Sequence, residues 1–169
     1  MAPQVSTRAG GPERGAPASE PRWLTPEEQT VWRAFLDVSR LLFEQLGRQL
    51  AEDSDMSLAE YEILVQLSES ADRSMRMSEL ADRVVSSRSR ITHTVARMEQ
   101  RGLVRRDACP DDGRGVLCVL TDAGFDAVVA AAPGHVEMVR SAMFDPLPPA
   151  AVSRLGEALI AVRAGLRDS

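Results

Sequence analysis

Apolar side chains recur at spacings of three and four along the first half of the chain: Val31, Trp32, Phe35, Leu36, Leu42, Phe43, Leu46 and Leu50. That period places them on one face of an amphipathic helix of about seven turns. Its start is marked by Thr25-Pro26-Glu27-Glu28, a cap followed by a proline suited to the first turn and two acids at the positive end of the helix dipole. A helix this long overhangs a small domain and points to a partner chain. Ser57-Leu58-Ala59-Glu60 fits a reciprocal capping box, and Tyr61, Leu64, Val65 and Leu67 give the second helix its apolar face before it ends near Ser68 to Ser70. After a polar loop, Ser78 is expected to cap a short helix reaching Val85. A turn at Ser86-Ser87 then leads into a helix through Arg101, closed by Gly102. In that helix Ile91, Val95 and Met98 share one narrow face, and the remainder carries Arg, His, Ser and Thr.

The period then changes from helical to alternating. Leu103 to Cys109 and Val116 to Thr121 read as two short strands around a turn of Pro, Asp and Gly, a hairpin signal. With Asp111 placed opposite Arg114, Cys109 is expected to face Val116 and Asp107 to face Cys118. Thr121-Asp122 opens an Ala- and Val-rich helix that Pro133-Gly134 is expected to kink or restart, continuing to about Phe144. The sequence DPLPP breaks the chain before a last helix with Val152, Leu155, Leu159, Ile160 and Val162 apolar. The fold class predicted is mainly α (α+β): a winged helix-turn-helix flanked by N- and C-terminal helices. The expected boundaries are 1–22 for a disordered tail, 23–56 for a dimerisation helix, 57–121 for the winged unit and 122–167 for C-terminal dimerisation helices. Within the winged unit the recognition helix spans about 86–101 and the wing about 103–121.

Charge sharpens this picture. The 169 residues carry a net charge of −5, which on its own argues against a nucleic-acid partner. Between Arg73 and Arg114, however, ten arginines stand against six acids, a local balance of +4, so the rest of the chain carries −9. The distribution outweighs the total. All 20 basic residues are arginine, whose planar fork suits phosphate and guanine edges better than an ammonium does. Hydrophobic residues at 44% and charged residues at 27% describe an ordinary globular chain. No apolar run approaches the roughly 18 residues a membrane span needs, and the expected location is the cytoplasm, associated with the nucleoid. No phosphate-cradling glycine loop, nucleophile elbow or paired-carboxylate pattern supports catalysis, so no enzymatic activity and no cofactor are expected.

The helix after the turn is sized for a major groove about 12 Å wide. Its first turns hold Ser86, Ser87, Arg88, Ser89, Arg90, Thr92 and His93, hydroxyls for phosphates and guanidinium groups for guanine. From Ser86 to Gly124 the sequence resembles the MarR family of bacterial regulators. The spaced elements are Met98-Glu99-Gln100-Arg101-Gly102-Leu103-Val104, Arg106, Asp112-Gly113-Arg114 and Leu120-Thr121-Asp122-Ala123-Gly124. The resemblance implies double-stranded DNA as partner, read by Ser86, Ser87, Arg88, Ser89, Arg90, Thr92, His93, Thr94 and Arg97. It also implies Arg106 and the wing arginine Arg114 as contacts, with Asp112 orienting the wing. Many members carry Arg directly after the recognition-helix threonine, where this chain has His93. Also implied is a homodimer, held by Trp32, Phe35, Leu36, Leu155, Leu159 and Ile160, that represses from a pseudo-palindromic operator and is released by a small apolar or aromatic acid.

Two other readings compete. A winged helix can serve as a protein-interaction module. Cys109 and Cys118 are the candidates for a thiol-based redox switch, since the assumed register sets them diagonally on one face of the hairpin. Two cysteines with His93 or His135 lack any compact metal-ligand spacing.

Overall fold

The computed structural model describes residues 21–109 and 115–167. Most of the expected N-terminal tail, and with it the wing residues Asp112 and Arg114, lies outside these. The chain divides into two units, residues 1–35 and 36–169, and the division falls inside the first helix.

Helix α1 spans Pro26–Ser54. Its start is the predicted one: the Thr25 hydroxyl accepts from Glu28 N at 3.2 Å, and Thr25 N donates back to the Glu28 carboxylate at 2.7 Å. In the first unit Trp32 and Phe35 stack with ring centroids 6.0 Å apart, and Val31, Trp32 and Phe35 are all exposed.

In the second unit, α1 contributes Leu46 and Leu50 to the core. Helix α2, Leu58–Ser68, opens on the expected capping box between Ser57 and Glu60 and supplies the centre of the core through Ile63, Leu64 and Leu67, all fully buried. A 3-10 turn at Ala71–Arg73 leads into a short strand where a polar loop is expected: β1, Ser74–Arg76. Helix α3 is Met77–Arg83. Ser78 therefore lies inside its first turn rather than capping it; the cap position is Arg76, which makes no side-chain cap, because β1 runs straight into the helix.

Helix α4, Arg88–Gln100, is capped by Ser87. It ends in a Schellman closure, with Leu103 N donating to Met98 O and Gly102 N to Glu99 O, both at 3.0 Å. Gly102 takes φ +73 there, a conformation glycine adopts without steric cost. Strands β2, Val104–Ala108, and β3, Val116–Leu120, form the wing, and β1 pairs on the other edge of β3 in an antiparallel sheet ordered β1-β3-β2.

The hairpin register differs by one residue from expectation. Arg106 pairs with Cys118 and Ala108 with Val116, and Cys109 N donates to Gly115 O at 2.9 Å. The buried alternation of Val104, Cys118 and Leu120 decides it, because a one-residue slip would turn these outward. The assumed pairing of Asp111 with Arg114 lies outside the described residues.

Helix α5 spans Asp122–Val139. Pro133 lies within it and does not restart it, and a π-helical turn at Arg140–Phe144 carries the helical chain to the expected end near Phe144. The Leu-Thr-x-x-Gly element has a packing cause. The Thr121 hydroxyl caps α5 by accepting from Gly124 N at 3.0 Å and donates to Gly102 O at 2.7 Å. A Cβ on Gly124 would collide with the Leu103 carbonyl oxygen and stand 2.7 Å from Leu120 Cδ1. Helix α6, Pro149–Arg167, has no buried residue. Among the described residues, no helix is long and apolar enough to cross a membrane.

Candidate nucleic-acid interface

The chain first fixes which side of α4 can meet a ligand. Ile91, Val95 and Met98 are buried at 3% exposure or less, which stabilises the helix by about 1.5–3 kcal/mol per side chain. Thr94 joins them. It is 6% exposed, and its hydroxyl donates to the Arg90 carbonyl at 3.0 Å. Of the residues assigned to DNA it is therefore a core residue, because position 94 falls on the same helical arc as 91, 95 and 98.

The opposite arc carries Arg88, Ser89, Arg90, Thr92, His93 and Arg97, all exposed. Ser87 is exposed and spends its hydroxyl oxygen on Arg90 N at 3.3 Å, while Ser86 is half-buried. The Thr92 hydroxyl donates to the Arg88 carbonyl at 2.8 Å. Just ahead of the helix, Val85 takes φ +47 with its side chain 85% exposed, an unusual conformation for a β-branched residue.

Ion pairing separates the arginines. Arg83 holds Glu79, Arg105 holds Asp107 and Arg106 holds Glu99. Arg101 holds Asp55 and Glu60, and Arg97 reaches Glu60 at 4.0 Å. Among the described residues, Arg88 and Arg90 have no acid within reach. The guanidinium groups at the N-terminal half of α4 are thus exposed and uncompensated, and those at its C-terminal half are anchored to the fold.

That anchor was not foreseen. Glu60 was read only as half of a capping box, yet its side chain is 8% exposed and also receives Arg101 at 3.5 Å. Burial raises the Glu60 carboxyl, but the hydrogen bonds from Ser57 and the charges of Arg101 and Arg97 outweigh it and hold the group below the ordinary range. Arg101 further donates to the carbonyl of Asp55 at 2.7 Å, tying the end of α4 to the corner between α1 and α2. An open pocket of about 500 Å³ lies at this corner, and Ala51, Met56, Leu58, Arg97 and Arg101 are among the residues that line it.

Arg106 was assigned to DNA, and the structure gives it an acid. Its Nε and Nη2 donate to Glu99 Oε2 at 2.9 and 2.6 Å, and its backbone N–H donates to Glu99 Oε1 at 2.9 Å. These hydrogen bonds hold the Glu99 carboxyl below its usual value.

Both cysteines are buried and free. In the observed register Cys109 lies across from Gly115, three residues from Cys118 along β3, so alternation puts the two on opposite faces of the hairpin. The diagonal pair on one face does not exist. Burial, reinforced by the Glu99 charge, pushes the Cys118 thiol up to about 12, leaving it protonated and unreactive at neutral pH. Among the described residues no three of His, Cys, Asp and Glu converge as a metal ion would require.

The residues assigned to dimerisation are apolar and range from half-buried to exposed. Trp32 and Phe35 are about half exposed in the first unit; in the second, Leu159 and Ile160 are exposed and Leu36 and Leu155 half-buried.

Residues 56–116 match the model of the MarR family. No curated protein sequence matches the chain. Among solved structures, Sco3205 from Streptomyces coelicolor, a MarR family transcriptional regulator in complex with DNA, is 48% identical with a TM-score of 0.84, over 88% of this chain and 93% of that one. AbsC, a MarR family transcriptional regulator from the same organism, is 43% identical with a TM-score of 0.83, over 88% of this chain and 100% of that one. CouR from Rhodococcus jostii RHA1, bound to p-coumaroyl-CoA, is 21% identical with a TM-score of 0.69 over 78% of this chain and 90% of that one; at that identity the likeness is one of fold.

Proposed function

The chain belongs to the MarR family of transcriptional regulators, and from that premise we propose that it is a homodimeric repressor whose α4 helices enter successive major grooves of a pseudo-palindromic operator. The observation that carries this reading is the pair of exposed guanidinium groups, Arg88 and Arg90, left without acids on a helix whose other side is packed. Ser86, Ser87 and Ser89, with the backbone amides of the helix N-terminus, hold phosphates. Arg88, Arg90 and His93 face base edges and backbone, Thr92 contributes its methyl group, and Arg97 follows the phosphates while staying near Glu60. Arg114 at the wing tip, oriented by Asp112, reaches the adjoining groove.

The DNA complex of the 48%-identical Sco3205 supports the partner assigned. Dimerisation is supported by exposed apolar side chains: Ile160, Val162 and Leu166 on α6 are 59–75% exposed, and Trp32 on α1 about half. Half-site centres then lie about 10 bp apart, and repression follows from occlusion of the promoter. A small apolar or aromatic acid is the inducer class proposed.

The test is fluorescence anisotropy with a duplex from the chain's own upstream region. Wild type binds with an affinity that falls steeply with salt. Arg88→Ala with Arg90→Ala abolishes specific binding while leaving the fold intact, since neither side chain is packed. Retained specific binding by that double variant sinks the assignment.

A further inference from the structure

Glu99 and Arg106 stand seven positions apart, a spacing at which a continuous helix, with about 10 Å of rise between them, would not bring their side chains into contact. The fold does so by reversing the chain at Gly102. Glu99 lies on the last turn of α4 and Arg106 in the middle of β2. Both oxygens of the Glu99 carboxylate are engaged, one by the Arg106 backbone N–H and the other by two guanidinium nitrogens. The pair thus joins main chain as well as side chain of the wing to the helix that precedes it.

Register explains why Arg106 turns this way. It sits directly across from Cys118, on the sheet face that also carries Val104 and Leu120. That face packs toward the helices, as the full burial of Cys118 and Val104 shows. Arg105, one position earlier, belongs to the other face and pairs with Asp107 at 2.9 Å. A second tie runs parallel to the first: the Thr121 hydroxyl donates to the carbonyls of Gly102 and Leu103, holding the reversal from the β3 side.

We propose that Glu99 and Arg106 form a clamp that fixes the angle between recognition helix and wing, so that Arg106 is a positioning residue for DNA binding and not a DNA contact. The inference rests on the regulator reading above and deepens it. Simultaneous engagement of a major groove by α4 and of the neighbouring groove by the wing demands one relative orientation of the two, and this carboxylate–guanidinium bridge supplies it. Glu99 acts through Arg106 alone and touches no nucleic acid.

The sign of the Glu99 effect distinguishes the clamp from its rival. Removing an acid from a DNA-facing surface ordinarily tightens binding, and freeing an arginine that contacts phosphate tightens it further. The clamp requires the opposite. The experiment measures anisotropy of wild type, Glu99→Gln, Arg106→Gln and the double variant on the upstream duplex, well below each melting temperature. The expected result is that each single variant weakens binding about fivefold and the double no more than either single, the non-additivity of a coupled pair. Circular dichroism of each variant separates loss of fold, which lowers the active fraction, from loss of affinity. If Glu99→Gln binds as well as or better than wild type, or if the double variant is weaker by the product of the two singles, the clamp is wrong while the regulator reading stands. If wild type ignores the duplex at low salt, the regulator reading fails and the clamp with it.

Discussion

At the scale of single residues, two backbone positions make opposite demands. Val85 sits at φ +47 in the turn between α3 and α4, fully in solvent, with no packing that requires a branched side chain. Val85→Gly is expected to raise stability by about 0.5–1 kcal/mol, the relief of left-handed strain less the added freedom of the unfolded chain, read as a higher melting temperature. Gly124 is the reverse case. Gly124→Ala forces a methyl group onto the Leu103 carbonyl and is expected to cost about 1–3 kcal/mol through overpacking, measured by urea denaturation. His135 gives a pH signature. Its ring tilts against Tyr61 at 4.4 Å, its Nδ1 has no hydrogen-bond partner, and burial lowers its pKa below 6.5. The unfolded chain therefore binds more protons below pH 6.5, so this part of stability is complete above that value and is lost as pH falls through the folded pKa. His135→Phe keeps the ring contact and flattens the dependence of the melting temperature on pH between 7 and 5; an unchanged slope would assign it elsewhere.

The element scale shows where sequence periodicity succeeds. The apolar arc of α4, the Ser57–Glu60 capping box, the Thr25 cap and the closure at Gly102 were legible because each depends on residues within a turn or two. Ser87→Ala is expected to lower stability by about 1 kcal/mol through loss of the cap, visible in thermal melts without DNA. What was not legible depends on partners far apart in sequence. β1 is three residues long and carries too little alternation to be recognised without β3 beside it. The wing register follows from burial across the sheet rather than from its turn. Thr94 looked like one more hydroxyl among the α4 polar residues, and only the breadth of the packed arc places it in the core. The Glu99 partner of Arg106 was not legible either, because the two meet only through the chain reversal at Gly102. For the two free arginines, each alanine substitution is expected to reduce the slope of log affinity against log salt by about 0.9 if it removes one phosphate contact, measured by salt titration of anisotropy.

At the scale of the whole molecule, two features stand apart: the charge distribution, and the exposed apolar side chains of α6. The chain keeps its basic surplus around the winged unit while its total stays negative, which suits a protein that must bind one polyanion without adhering to every other. Helix α6 has no buried residue across its 19 positions, and such a helix gains its stability mainly from what packs against it. Ile160→Glu, at a position 59% exposed, is expected to convert the proposed dimer to a monomer in sedimentation velocity while leaving the winged unit folded. DNA affinity falls with it, because two linked reading heads become one. A variant that stays dimeric would place the interface elsewhere.

The fully buried Cys118 offers an internal clock. Its sulfur lies on the sheet face turned to the helices and meets a thiol reagent when that face lifts, so in a Cys109→Ser background the labelling rate under native conditions reports how often the wing opens from the body. Occupancy by any duplex that grips helix and wing together must slow that clock, and the factor of slowing reads the grip directly, without a label on the nucleic acid.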